Sequence, residues 1–236
     1  MTTRDTRAAG LAAFAGLIAD TTRAACLLAL LDGRAWTAGE LARRAGVAPS
    51  TLSEHLGKLV AGGLLAEERQ GRHRYVRLAD ARTAQLLEDL AAQVTPRAPG
   101  RPGGLRESSA GSAMARGRTC YDHLAGRLGI AVTDAFGELG LLDREGGFAL
   151  TGAGLAWFGA TGIPLDRTGR RPLARACLDW TERRPHLAGT AGAALCRHAL
   201  DAGWCVRIGS ERAVKVTADG ERALAELLGI APGSLR

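Results

Sequence analysis

Aromatic residues make up only 4% of this 236-residue chain. The few rings present therefore stand out as possible anchors rather than as the bulk of a core. Long apolar runs are missing as well. No stretch approaches the ~18 uninterrupted apolar residues of a membrane span. The opening MTTRDTRAAG has no secretion-signal pattern, so a cytoplasmic protein without a membrane partner is expected. Cysteine is sparse and odd in number: Cys26, Cys120, Cys177, Cys196 and Cys205, with no C-x-x-C. That argues for reduced thiols and against a disulfide framework. No G-x-G-x-x-G or P-loop follows a strand-like run, and no Ser-His-Asp or paired-carboxylate arrangement is suggested. An enzyme is not expected.

What is present is a chain with room for two domains. Apolar residues make up 46% of it, many of them alanine, which favours close-packed helices. The net charge of +7 suits a polyanionic partner. It is spread unevenly: +2 over 1–93, +4 over 94–118 and +1 over 119–236.

The chemically most legible stretch is Thr37 to Leu78. Thr37 and Glu40 have the T-x-x-E spacing of a capping box, which opens a helix. Leu41 and Ala45 lie on one face of it, and Gly46 allows a sharp turn. Pro49 suits the first position of a second helix. There Leu52, Leu56, Leu59 and Val60 form one apolar stripe. Ser50, Thr51, Ser53, Glu54, His55 and Lys58 are left as the polar set that would meet DNA, most of it facing outward. Such a face suits a helix lying in a major groove. Gly62 and Gly63 end this helix, and Leu64–Glu68 and His73–Leu78 read as two strands. Arg69, Gln70, Gly71 and Arg72 form the tip between them. With Arg74 and Arg77, this hairpin is a clamp for phosphates or the minor groove.

The order E-L-A-x-x-x-G-V, S-T-x-S-x-H-L-x-x-L, A-G-G-L and R-x-G-R-x-x-Y resembles winged helix-turn-helix repressors of the ArsR type. The resemblance covers roughly the first ninety residues, including LIADTTRAACLLALL. It implies a double-stranded DNA partner and a homodimer paired through the first and last helices of the domain. The metal sites common in that family do not carry over. The first helix of the motif, ELARRAG, has no thiol, and the last helix, ARTAQLLEDLAAQV, has no histidine.

Elsewhere, Arg7–Ala19 reads as a first helix with Leu11, Phe14 and Ile18 on one side. Asp20 caps a second helix whose apolar face is Leu27, Leu28 and Leu31, with Cys26 as a small buried hydrophobe. Ala81–Val94 reads as a further helix with the stripe Leu86, Leu87, Leu90 and Val94. The Pro/Gly/Arg stretch 94–104 reads as a linker between a DNA-binding and dimerisation domain (1–93) and a second domain (105–236).

The second domain contains an internal repeat, at about 121–163 and 184–230. HLAGRLGIAVTDAFGELG from His123 matches HLAGTAGAALCRHALDAG from His186. Leu150–Gly154 then aligns with Val216–Gly220, with Thr151 and Thr217 as helix N-caps. Each copy reads as helix, short hairpin, helix, with Gly209-Ser210 as the turn in the second. The expected fold is mainly α with small β-hairpins (α+β): a winged helix-turn-helix followed by two winged-helix-like repeats.

Three inputs compete for the second domain. Cys120 and His123, at i and i+3, would share a helical face. With Cys177 and His186 they would offer soft and borderline ligands to zinc or copper(I). Alternatively, Cys120 or Cys177 is a thiol switch. The third input is an organic molecule between the repeats, lined by Tyr121, Trp157, Phe158 and Trp180. An organic ligand or a thiol-reactive signal is favoured over metal, and no cofactor is expected. The resulting expectation is a dimeric repressor released by an effector. The alternatives are a methyltransferase-like enzyme, or an interaction module using the winged helix only to dimerise.

Overall fold

The structure, a computed structural model, describes residues 3–70, 73–94, 105–209 and 212–235. Gly71, Arg72, most of the predicted linker and Ser210 lie outside the described residues. The chain divides into two compact units, Met1–Leu87 and Glu88–Arg236, so the boundary falls inside a helix rather than at its end.

The first unit runs α1 (Thr3–Ile18), α2 (Thr21–Leu30), β1 (Trp36–Thr37), α3 (Ala38–Ala45), α4 (Pro49–Ala61), β2 (Leu65–Gln70), β3 (His73–Leu78) and α5 (Ala81–Gln93), whose last turns belong to the second unit. Asp20 caps α2 by accepting the Arg23 backbone N–H at 2.9 Å. Both halves of the Thr37–Glu40 capping box form. Gly46 closes α3 in the left-handed region, and Pro49 opens α4. The stripe of α4 packs inward, with Leu52, Leu56 and Leu59 fully buried beside Leu27, Leu30, Leu31 and Leu41. On α2, however, the buried face is Cys26, Leu27 and Leu30, and Leu28 is exposed. Leu27 and Leu30 (i, i+3) share a helical face that Leu28 does not.

The three-stranded sheet has the order β1-β3-β2, all antiparallel. In β1, Trp36 pairs with Val76 and Thr37 with Tyr75. A two-residue strand carries no readable period, which is why the sequence pattern did not announce it.

The second unit contains α6 (Leu105–Arg116) and two stretches of the same element order. The first is β4 (Arg118–Cys120), β5 (His123–Ala125), α7 (Gly126–Glu138), β6 (Leu142–Asp143), β7 (Ala149–Leu150) and α8 (Gly152–Ala160). The second is β8 (Arg175–Leu178), β9 (Pro185–Ala188), α9 (Gly189–Asp201), β10 (Cys205–Arg207), β11 (Val214–Val216) and α10 (Ala218–Leu228). Each stretch is opened by a hairpin that the helix-first reading lacked. The closing-helix caps match in detail. Thr151 accepts the Gly154 N–H and donates to the Gly140 carbonyl, and Thr217 does the same with Gly220 and Gly203.

Both stretches share one core, in which Leu128, Phe136 and Phe158 from the first pack with Leu187, Leu195 and Leu224 from the second. Within each copy Gly129 and Gly192 let the helix lie close against the strand before it. A side-chain carbon on Gly129 would lie 2.4 Å from the Leu124 carbonyl oxygen, and one on Gly192 equally close to that of Leu187. On the far side, the carbon on Gly129 would face the His186 side chain at 3.7 Å, and that on Gly192 the His123 side chain at 3.1 Å. Each copy's helix thus abuts the other copy's histidine.

Gly129→Ala should therefore destabilise the protein by about 1–3 kcal/mol, as overpacking does. Gly159→Ala, on α8 with open space around the added carbon, should stabilise it by about 0.5–1 kcal/mol. Urea unfolding of the two variants checks this, and a Gly129→Ala protein as stable as the parent would refute the close packing.

Candidate nucleic-acid interface and a buried Cys–His cluster

On the first unit, Ser50, Thr51, Ser53, Glu54 and Lys58 all lie on the exposed side of α4. The buried leucines fix that orientation: residues that cannot face the core at 3.6 per turn must face solvent. Ser53 uses its hydroxyl on the Pro49 carbonyl at 2.9 Å. His55 differs from the sequence reading. Its side chain is mostly buried, with Nδ1 3.5 Å from Asp20 and 3.4 Å from Arg23. Arg23 in turn donates to the Leu17 and Gly16 carbonyls at the end of α1. Position 55 lies on the edge of the helix toward α2, so His55 ties elements together rather than reaching outward. On the wing, Arg69 is 80% exposed and Arg77 is exposed, while Arg74 is held by Glu67 at 2.7 Å. Arg72 lies outside the described residues.

In the second unit the structure brings Cys120, His123, Cys177 and His186 together. All four are buried, and their ligand atoms lie within 4.8 Å of one another. The route differs from the helical one expected. Cys120 and His123 are opposite residues of a tight hairpin, β4 and β5, with Tyr121 at φ 58° in the two-residue turn. Cys177 and His186 are opposite residues of β8 and β9. Directly opposed residues project to the same face of a hairpin, so each hairpin delivers one thiol and one imidazole. The two thiols pack with Ala125 and Ala188, the third residues of the two HLAG segments. The sulfur atoms are 3.9 Å apart, and the two imidazoles stack with centroids 4.9 Å apart.

Each histidine has a carboxylate at Nδ1 and an arginine behind that carboxylate. His123 Nδ1 lies 3.2 Å from Asp122, which Arg171 grips at 2.5 and 3.0 Å. His186 Nδ1 lies 3.7 Å from Asp179, which Arg118 contacts at 3.0 Å. Asp179 is fully buried and also accepts from the backbone N–H groups of Gly126, Thr181 and Glu182. Burial pushes its carboxyl up, but the Arg118 charge and these N–H donors outweigh that and hold it below the usual range. Arg118 is also buried and reaches Glu88, which accepts from Arg212 and Trp180 as well.

The five thiols separate by environment. Burial raises Cys26 to about 11 and Cys196 and Cys205 to about 12, leaving them as inert core residues. Cys120 and Cys177 move apart: their mutual hydrogen bond, with burial, pushes Cys120 up, and the same bond, with the two imidazoles adding to the effect, brings Cys177 down.

The aromatic residues do not assemble into the expected ligand pocket. Trp157 packs edge-on against Phe136 and Phe158 at the core. Tyr121 is exposed at a hairpin tip. Trp180 donates to Glu88 and lies against Arg118. A cleft of about 580 Å3 does exist in this unit, but it is lined by residues such as Arg116, Leu128, Ile208, Lys215 and Glu221.

A helix-turn-helix domain family matches residues 18–68. Over 223 residues the chain is 40% identical to the HTH-type transcriptional regulator YdfF of Bacillus subtilis, covering 93% of this chain and 97% of that protein. Over 90 residues it is 38% identical to the HTH-type transcriptional regulator CmtR of Mycobacterium tuberculosis, covering 38% of this chain and 75% of that protein. Among solved structures, that of the cadmium metal-sensor CMTR from Mycobacterium tuberculosis is 35% identical, covers 39% of this chain and 94% of its own, and aligns with a TM-score of 0.32.

Asp179→Ala takes from buried Arg118 one of its two carboxylates, leaving Glu88, and from the Gly126, Thr181 and Glu182 N–H groups their acceptor, and should cost about 3 kcal/mol or more. Chemical denaturation measures this, and a loss under about 1 kcal/mol would refute the dependence. Because the folded pKa of Asp179 is depressed, its contribution is complete above the ordinary carboxylate value of about 4 and fades as the pH falls below that. Thermal melts between pH 7 and pH 3 should therefore fall more steeply for the parent than for Asp179→Ala.

Proposed function

This chain belongs to the HTH-type transcriptional regulators, and we propose that it is a cytoplasmic, dimeric repressor whose second unit senses an effector. It is a DNA-binding regulator with an N-terminal helix-turn-helix domain, and on this reading that domain is a winged helix-turn-helix of the ArsR type. The observation that carries the reading is the division of α4 into a buried leucine stripe and an exposed face of Ser50, Thr51, Ser53, Glu54 and Lys58. Those side chains are of a size and polarity to meet base edges, while Arg69 and Arg77 on the wing meet phosphate.

Dimerisation is supported by Leu86, Leu90 and Val94. Leu86 and Leu90 are i and i+4 on α5, Val94 directly follows its last residue, and all three are exposed in the single chain. A two-fold dimer would set two α4 helices about 34 Å apart, matching one turn of a pseudo-palindromic site.

Effector sensing is assigned to the Cys–His cluster of the second unit, because the aromatic residues that would have lined an organic pocket are dispersed. An effector that favours the DNA-free state lowers operator affinity by the difference in its binding to the two states.

Titration of the purified chain on fragments of its own genome, with reductant, oxidant or chelator, tests this. Specific binding that oxidant or chelator changes supports the repressor with a cluster input. Absence of specific binding overturns the reading. Arg69→Ala should weaken binding to every sequence and reduce the salt slope by about 1. Thr51→Ala should shift sequence preference at an unchanged slope. Equal loss on all sequences would refute base contact by position 51.

A further inference from the structure

The Cys–His cluster has the features of a metal site before any function is assigned to it. Two thiolates about 2.3 Å from a zinc ion at the tetrahedral angle lie about 3.8 Å apart. Cys120 and Cys177 are 3.9 Å apart, far beyond a bonded disulfide of about 2.05 Å. His123 and His186 are 1% and 0% exposed, and among the described residues the Nε2 of each, and the Nδ1 of His186, is buried with no hydrogen-bond partner. A buried imidazole nitrogen left without a partner is costly, so a pair of them facing two thiols calls for a shared occupant. At Nδ1 His123 has the carboxylate found behind metal-bound histidines, Asp122 at 3.2 Å, while Asp179 stands 3.7 Å from Nδ1 of His186, at ion-pair and not hydrogen-bond distance. For His123 this leaves Nε2 as the ligating atom, and in His186 Nε2 is the nitrogen further from the Asp179 charge.

Charge narrows the ion. Asp122 is balanced by Arg171, and Asp179 by Arg118. The uncompensated charge of the ligand set is then that of two thiolates, which a divalent ion cancels and copper(I) does not. Four protein ligands complete a tetrahedral shell, as in sites that hold structure rather than activate water.

We propose that Cys120, His123, Cys177 and His186 hold one zinc(II) ion in a tetrahedral S2N2 shell that joins the two hairpins of the second unit. On binding, both thiols lose their protons to solvent, zinc–sulfur and zinc–nitrogen bonds form, and no oxidation state changes. Each hairpin supplies one sulfur and one nitrogen, so loss of the ion releases both copies of the repeat. Its part in effector sensing rests on the repressor reading, but its occupancy does not.

The test uses the full chain, purified under reducing conditions and supplied with zinc, then with cobalt(II) as a spectroscopic substitute. About one zinc per chain should survive gel filtration, and chelation should lower Tm by about 5 °C or more. The cobalt form should show thiolate-to-cobalt charge transfer and tetrahedral d–d bands. Cys177→Ser should abolish the stoichiometry, and His198→Gln, outside the cluster, should keep it. Should Cys177→Ser fail to fold, the parent's cobalt spectrum decides alone. A spectrum without sulfur ligation, zinc near zero with both thiols reduced, a Cys120–Cys177 disulfide formed in excess zinc, or retention of copper(I) in place of zinc would each overturn the assignment. DNA binding measured on the same preparation keeps the two readings apart: zinc bound without specific DNA binding defeats the repressor and leaves the site standing.

Discussion

The buried carboxylate of Asp179 is the point on which the second unit depends. One of its oxygens receives the Arg118 guanidinium and the backbone of the β8–β9 loop, and the other receives the Gly126 N–H and lies beside His186. Gly126 opens the helix of one copy, and His186 sits on the strand of the other. A carboxylate in the interior is tolerable only when such donors surround it, and here the donors come from both copies. The same group that makes burial of Arg118 possible therefore also orients a histidine of the cluster. An ion pair of this kind adds little net stability compared with an apolar substitute. Its effect is to specify one arrangement of the two hairpins.

The first unit solves a simpler problem. It must present a polar helix face and a basic hairpin on a rigid support. Leucines from α2, α3 and α4 form the support, and the capping box, Gly46 and Pro49 set where α3 stops and α4 starts. His55 and Arg23 brace α4 against the junction of α1 and α2. This bracing removes His55 from the outward set and leaves the shorter side chains of α4 exposed.

Legibility in the sequence differed between the units for a physical reason. Helix starts, turns and apolar stripes are local, so Asp20, Thr37, Gly46, Pro49 and the α4 leucines could be read directly. Thr151 and Thr217 were legible in the same way, as caps before short helices. The strand β1 was not, because two residues show no alternation. Cys120 and His123 were recognised as a pair, but their three-residue separation fits a helical face as well as a tight hairpin. Only the pairing of β4 with β5 distinguishes the two. A cysteine ahead of HLAG in both copies, at Cys120 and Cys177, was the available signal. The aromatic pocket failed because scarcity of rings says nothing about whether they meet.

By itself, the sequence determined the winged helix-turn-helix, its outward polar helix face, its basic hairpin and the doubled pattern of the second half. Each of these rests on contacts between residues close along the chain or on a short repeated register. Tertiary structure alone decided that two thiols and two imidazoles from distant hairpins converge, that Arg118 and Asp179 are buried against each other, and that Trp157 and Phe158 enter the core while Trp180 goes to Glu88 and Arg118. Those outcomes depend on how the two copies pack, through the shared core and the contacts of Gly192 with His123 and Gly129 with His186, which no local pattern encodes.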